Sequence, residues 1–343
     1  MNFTILCKYI LQYTMVVLKR LFFCRWREIS YLCGMEGLVV KNTGSWYVVK
    51  TDDSRYVNCK VKGNFRLKGL RTTNPVSVGD RVTIVENADV AFIVEVHQRR
   101  NYIIRRASNL SKESHIIASN LDAAMLVVSL VNPLTSTTFI DRFLATAEAY
   151  RVPAVIVINK IDLLDEDMRE YCDGVRYLYE SIGYRVVEVS AAANIGLDEI
   201  RVMLHGKTTL LSGNSGVGKS TLINRLVPGA EARTAEVSQT HHTGMHTTTF
   251  SEMYELADGG YIIDTPGIKG FGTIDFATEE VAHFFPEIFR ISAGCKYGNC
   301  THRHEPGCAV KDALENHLIS ESRYASYLSI IDDSADDKYR KPF

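Results

Sequence analysis

The sequence has almost no net charge: its 343 residues carry 39 Lys and Arg against 40 Asp and Glu, a formal balance of -1. A chain without an excess of one sign exerts no overall pull on a nucleic acid. Compositional bias is missing too, since 46% hydrophobic and 23% charged residues exclude collagenous, disordered and coiled-coil chains. The apolar opening does not read as an export signal or a membrane span. Its longest uncharged run is the ten residues from Tyr9 to Leu18, short of the roughly 20 a span needs, and no A-x-A type cleavage site follows Lys19 and Arg20. A disulfide framework is also absent. Cys7, Cys24, Cys33, Cys59 and Cys172 are scattered, whereas Cys295, Cys300 and Cys308 crowd into fourteen residues beside histidines, which points to metal binding in a reducing compartment.

What is present divides by region. The length predicts two or three domains. Residues 1–34 balance at +4, 35–107 at +6, 108–275 at -8 and 276–343 at -3, so a basic front half precedes an acidic remainder. Met35 is the expected start of the functional chain, with residues 1–34 an upstream extension of little structure. The alternative for that extension is a short membrane-surface helix.

From Gly37 the text becomes short β-rich runs, GLVVKN, SWYVVKT, RYVNCKV, VGDRVTIVE and DVAFIVEVHQR, separated by turn residues. The spacing predicts an all-β barrel over 35–107 of the size of an OB-fold. Such barrels bind single-stranded nucleic acid with basic grooves and aromatic platforms. Arg66, Lys68 and Arg71 beside Phe65, and Arg99, Arg100, Arg105 and Arg106 after the last strand, are the expected footprint; as solvated edges they would instead discourage sheet pairing.

Gly213-Asn214-Ser215-Gly216-Val217-Gly218-Lys219-Ser220, followed by Thr221, is a complete G-x-x-x-x-G-K-[ST] between the strand-like TTLLS and a helix-like run. Glycines let backbone N–H groups curl around phosphates, Lys219 reaches the β and γ phosphates, and Ser220 ligates Mg²⁺. Guanine is selected by Asn159-Lys160-Ile161-Asp162 at the end of PAVIVI, where ligands of open α/β sheets bind. The Asp162 carboxylate accepts from the guanine N1 and N2 edge, Asn159 braces the loop, and the Lys160 stem lies along the base. Ser190-Ala191-Ala192 ends the next strand and offers a backbone N–H to guanine O6. Asp264-Thr265-Pro266-Gly267 supplies a magnesium carboxylate in Asp264 and a γ-phosphate N–H in Gly267. Before it, His246-Thr247-Thr248-Thr249 places Thr247 or Thr248 to complete the metal shell.

The order of these motifs is unusual: the guanine-reading loops precede the P-loop, the threonines and D-T-P-G. Because one sheet edge gathers all five loops, joining the old ends and cutting elsewhere preserves the site, so the domain over 108–275 is expected to be circularly permuted. The nucleotide-sensitive loops then lead straight into residues 276–343. There Cys295, Cys300, His302 and Cys308 make a set suited to a closed, structural tetrahedral Zn²⁺, with His304 an alternative to His302, and His283 and His317 weaker ones.

With GLVVKNTGSWYVV, VGDRV, NKID, GNSGVGKST, HTTT, DTPG and C-x4-C-x-H-x5-C on one chain, the sequence resembles the circularly permuted family called ribosome small-subunit-dependent GTPase A over residues 35 to about 320. The resemblance implies an OB-fold, a permuted P-loop α/β GTPase and a helical zinc-binding domain. It implies late maturation of the 30S subunit, binding to 16S rRNA, GTP hydrolysed to GDP, a monomer in the cytoplasm without a membrane partner, and His302 as the fourth zinc ligand. Ile268 stands where many GTPases carry a water-positioning glutamine, so intrinsic hydrolysis is expected to be slow. The missing group comes from a switch residue, with His246 the candidate, or from the ribosomal partner. The competing readings are a non-catalytic RNA-binding module stabilised by GTP and zinc, and a nucleotide kinase, which the guanine-reading loop disfavours.

Overall fold

The computed structural model describes residues 34–61, 75–87, 90–106, 114–230, 251–264 and 276–339. The first five strands are β1 (Met35–Asn42), β2 (Tyr47–Thr51), β3 (Tyr56–Val61), β4 (Arg81–Glu86) and β5 (Ala91–Val96). They pair in the order β1-β2-β3-β5-β4, and β4 returns to β1, which closes the barrel and removes its open edges. Alternate residues of each strand point inward: Val39, Tyr47, Val49, Cys59, Val82, Ile84 and Ile93 fill the interior.

A bulge re-aims β1. Its register shifts between Val39 and Lys41, and a bulge bends the strand that carries it. Met35 to Leu38 pair with β4, whereas Lys41 pairs with Glu252 of another domain. One strand thus serves both the barrel and its neighbour.

Among the described residues the second domain contributes β10 (Arg185–Glu188), β9 (Ala154–Asn159), β8 (Ala123–Ser129), β11 (Thr208–Ser212), β13 (Tyr261–Asp264) and β12 (Glu252–Glu255), in that spatial order, to a sheet that continues through β1 into the barrel. All pairings among these strands are parallel except β12 with β13. Every residue of β8 is buried, as a central strand covered on both faces requires. Leu126, Ile156 and Leu210 face α1 (Thr137–Ala149) and α2 (Glu166–Ile182), while Val127, Val157 and Leu211 face α3 (Leu197–Leu204) and α4 (Lys219–Leu226). Each such side chain contributes about 1.5–3 kcal/mol by leaving water. Local chemistry fixes the helix starts: the Ser136 hydroxyl accepts from the Phe139 N–H, and the Asp165 carboxylate from the Met168 N–H.

Between these domains β6 (Tyr102–Arg106) and β7 (Ser114–Ser119) form a separate antiparallel ribbon. Ile103 and Ala118 join the core of the second domain, so a division at residue 107 falls within this ribbon rather than at the end of the barrel.

The C-terminal region is helical: a 3-10 turn at Val281–Phe284, α5 (Pro286–Ser292), α6 (Ala309–Glu315) and α7 (Glu321–Tyr339). Phe285, Ile288, Val310, Tyr327 and Ile331 form its core together with Ala145 of α1. No helix among the described residues is long and apolar enough to cross a membrane.

Candidate functional site

The P-loop joins the end of β11 to the start of α4, at the carboxyl edge of the sheet. Gly213 has φ 147°, and a Cβ there would lie 2.2 Å from the Val127 carbonyl oxygen. Gly218, at φ 98°, would put a Cβ 2.3 Å from Asn159 Nδ2. Both positions need glycine for close approach as well as for backbone conformation. The Lys219 ammonium donates to the carbonyls of Gly213 at 2.7 Å and Asn214 at 3.2 Å. Burial lowers its pKa, and the Asp264 carboxylate works against that shift.

Asn159 is the hinge pin of the edge. Its Nδ2 donates to the Val217 carbonyl of the P-loop at 2.8 Å, and its Oδ1 accepts from the Ala191 N–H at 3.0 Å. One buried side chain therefore ties three motif loops together. Lys160 sits at φ 67° and donates its ammonium to the Asn132 carbonyl. Asp162 is exposed on the 3-10 turn Ile161–Leu163, and the Ile161 N–H donates to the Val189 carbonyl at 3.3 Å.

The turn after β10 distinguishes the N–H groups of the Ser190-Ala191-Ala192 stretch. The Ala191 N–H is committed to Asn159, the Ser190 N–H to the Ile195 carbonyl, and the Ala193 N–H to the Ser190 hydroxyl. Among the described residues the Ala192 N–H makes no hydrogen bond. Sequence spacing alone could not separate neighbouring N–H groups on one turn.

Asp264 ends β13, opposite Leu211 of β11, one strand from the P-loop. A serine hydroxyl at 220 and a carboxylate at 264 are hard oxygen donors of the kind Mg²⁺ takes alongside phosphate oxygens. His246, Thr247, Thr248, Gly267 and Ile268 lie outside the described residues.

The second site is in the C-terminal region. One ligand atom each from Cys295, Cys300, His302 and Cys308 lies within 4.8 Å of all the others. His302 Nδ1 is 3.6 Å from Cys295 Sγ and 3.4 Å from Cys308 Sγ, and His304 takes no part. Three thiols and an imidazole fit a tetrahedral soft-ligand metal with no open position. Burial pushes the Cys300 thiol up to about 12, so a bound ion must displace its proton. Helix α7 braces the loop: the Tyr324 and Tyr327 hydroxyls donate to the His302 and Thr301 carbonyls at 2.6 and 2.9 Å.

The basic footprint on the barrel needs correction. Arg99 is buried, its guanidinium paired with Asp80 at 2.6 Å with side chains 8% and 0% exposed, so it cannot meet a phosphate. Arg100 donates to Asp122 at 2.7 Å. Phe65, Arg66, Lys68 and Arg71 lie outside the described residues, as do the side chains of Arg105 and Arg106. An aromatic that the sequence reading passed over does stand on the barrel. Trp46 is 38% exposed, with the Lys60 ammonium 4.4 Å from its ring centroid. Its place between the turn at 42–44 and β2 was the available signal.

Two family models match the chain, one described as the RsgA N-terminal domain over residues 36–93 and one as RsgA GTPase over residues 96–274. The Small ribosomal subunit biogenesis GTPase RsgA of Bacteroides fragilis is 64% identical over 310 residues, 90% of this chain and 100% of that protein. The protein of that name from Porphyromonas gingivalis is 57% identical over 315 residues, 90% of this chain and all of its own. Among solved structures, YjeQ from Thermotoga maritima superposes with a TM-score of 0.70 at 33% identity, covering 88% of this chain and 98% of that one. YloQ, described as a circularly permuted GTPase, gives 0.67 at 29% identity, with 90% and 97% covered. Barrel, permuted nucleotide edge and matched length agree: the chain belongs to the RsgA GTPase family and is a GTP hydrolase.

Proposed function

We propose that this GTPase acts in biogenesis of the small ribosomal subunit, binding the 30S particle and its 16S rRNA, hydrolysing GTP to GDP and phosphate in a subunit-stimulated manner, and leaving after hydrolysis. The observation that carries the reading is the full-length match to relatives named for that process, joined to a closed barrel fused to a permuted GTPase sheet. The protein works in the cytoplasm as a monomer.

In this reading the guanine is held by the Asp162 carboxylate, by the Lys160 stem against its face and by the Ala192 N–H toward O6, with Ser190 and Ala191 shaping the turn. Backbone N–H groups of residues 213–221 surround the phosphates, and Lys219 turns from its own loop carbonyls to the β and γ oxygens. Ser220 and Asp264 hold Mg²⁺, with Thr247 or Thr248 completing its shell and Gly267 reaching the γ-phosphate. The ion, when bound, neutralises charge building on the phosphate oxygens. His246 is the residue proposed to orient the attacking water when the subunit is bound. Cys295, Cys300, His302 and Cys308 hold one structural Zn²⁺.

The test is GTP turnover with and without purified 30S subunits. Strong stimulation is expected, reduced in His246→Ala while GTP binding persists. Turnover that 30S subunits leave unchanged would overturn the subunit-stimulated role.

A further inference from the structure

A row of charged side chains crosses from the barrel to the nucleotide edge. Lys41 of β1 stands directly opposite Glu252 of β12, and Glu252 stands directly opposite Asp264 of β13. Residues directly opposite in adjacent strands share a face and have Cβ atoms about 5 Å apart. The Lys41 ammonium meets Glu252 Oε1 at 2.6 Å. Asp264 in turn acts electrostatically on Lys219 of the P-loop. The row therefore reads cation, anion, anion, cation from barrel to P-loop. Like charges placed directly opposite are destabilising, so the pairing of Glu252 with Asp264 requires compensation, and Lys41 supplies it from outside the domain.

We infer that Glu252, partly neutralised by Lys41 of the barrel, is a positioning residue for Asp264 and sets how strongly the nucleotide edge holds its magnesium ion. It rests on the reading of Asp264 as the magnesium carboxylate. Glu252 stands one strand farther from the P-loop than Asp264; it adds negative potential beside the carboxylate read as the magnesium ligand. Lys41 cancels part of that potential. Because the cation belongs to the barrel and the anion to the GTPase sheet, whatever occupies the barrel and draws Lys41 away also changes the field at Asp264.

The experiment measures affinity for a fluorescent GDP as a function of Mg²⁺ concentration on the full chain, with thermal melting of each variant alongside. Glu252→Gln removes negative potential and is expected to raise the Mg²⁺ midpoint about threefold, the size of one solvent-screened charge interaction. Lys41→Met leaves Glu252 uncompensated and, from one strand farther away, is expected to lower the midpoint by a smaller factor, about 1.5-fold. The opposite signs are decisive. A bridge that merely joins two domains is broken by either change and moves the midpoint the same way in both. The exchange of Lys41→Glu with Glu252→Lys rebuilds the bridge, so the melting temperature should match the parent. It sets a cation beside Asp264 and an anion one strand farther away, and the midpoint should rise about fourfold, two threefold steps up against two 1.5-fold steps down. Shifts of equal sign in the single variants, no shift at all, or a parental midpoint in the exchange overturns the inference. A parent whose GDP affinity ignores Mg²⁺, or an Asp264→Asn variant with an unchanged midpoint, sinks the reading of Asp264 first and the inference with it.

Discussion

Arg323, on the last helix, donates through Nη1 to Oδ1 of Asp141, on a helix of the GTPase domain, at 2.9 Å. The two side chains are 1% and 0% exposed. The same guanidinium meets both carboxylate oxygens of Glu287 at 2.7 and 3.1 Å, and Tyr179 donates its hydroxyl to Asp141 at 2.8 Å. Burial pushes the Asp141 carboxyl up, while Arg323 and its hydrogen bonds hold it down. Burial also opposes the charge of Arg323, but Asp141 and Glu287 outweigh it and raise its pKa. The charged pair is the state that fits both, since a guanidinium does not give up its proton in a protein.

Removing one member of such a group leaves buried charge uncompensated. Arg323→Met should cost about 3–5 kcal/mol of stability in chemical denaturation. Asp141→Asn should cost less, because Glu287 still pairs with the arginine. A loss below about 1 kcal/mol for Arg323→Met would show that the cluster is not what fastens the C-terminal helices to the GTPase domain.

Asn159→Ala strands the Val217 carbonyl and the Ala191 N–H, each at a cost of about 1–3 kcal/mol. Since both belong to loops around the nucleotide, GDP affinity by calorimetry should fall tenfold or more. A variant that melts earlier yet binds GDP normally would reduce Asn159 to a stability role.

Metal content checks the C-terminal cluster. The parent should hold one equivalent of zinc by elemental analysis, His302→Ala should lose most of it, and His304→Ala should retain it. Chelation should also lower the melting transition, because Cys308 belongs to the hydrophobic core of this region, with Cys295 and Cys300 packed against it. Equal retention in both histidine variants would be incompatible with the four-ligand site.

Glu305 makes the neighbouring turn sensitive to acid. Burial opposes its charge, but hydrogen bonds from the Thr301 hydroxyl and from backbone N–H groups of Thr301, Arg303 and His304 bring its pKa from 4.5 down to about 2. A carboxyl lowered on folding stabilises fully above its unfolded value and loses that contribution as pH falls through the folded one. The stability gap between the parent and Glu305→Gln should therefore be complete at pH 7 and close progressively below about pH 4.5. Both proteins are compared after chelation, so that metal loss in acid does not enter the difference. A gap independent of pH between 7 and 3 would contradict the assignment.

The five barrel strands were readable because their alternation is strictly local, and β1 to β5 stand where those runs predicted. The P-loop was equally plain, since its glycines recur at fixed spacing within one short segment, although the contacts that require them come from Val127 and Asn159. Arg99 was misread for the opposite reason. As text it is one more basic residue after a strand, and only folding brings Asp80 beneath it. Which N–H of the 190–192 stretch is already paired was likewise not legible, because that of Ala191 is claimed by an asparagine 32 positions away. Trp46 and the Asp141 cluster carried no motif at all.

Taken alone, the sequence carried the P-loop pattern, the permuted order of the motifs and three clustered cysteines, because each depends on residue types at short, fixed spacing; the choice of His302 over His304 needed the resemblance, and the structure brings His302 to the cysteines. Tertiary structure alone decided which charges remain available. Arg99 and Arg323 are paired with buried carboxylates 19 and 182 positions away, and Lys41, Glu252 and Asp264 come into one row only through strand register. The physical reason is that a covalent neighbour sets local conformation, whereas electrostatic pairing depends on distance in space, which the order of residues does not contain.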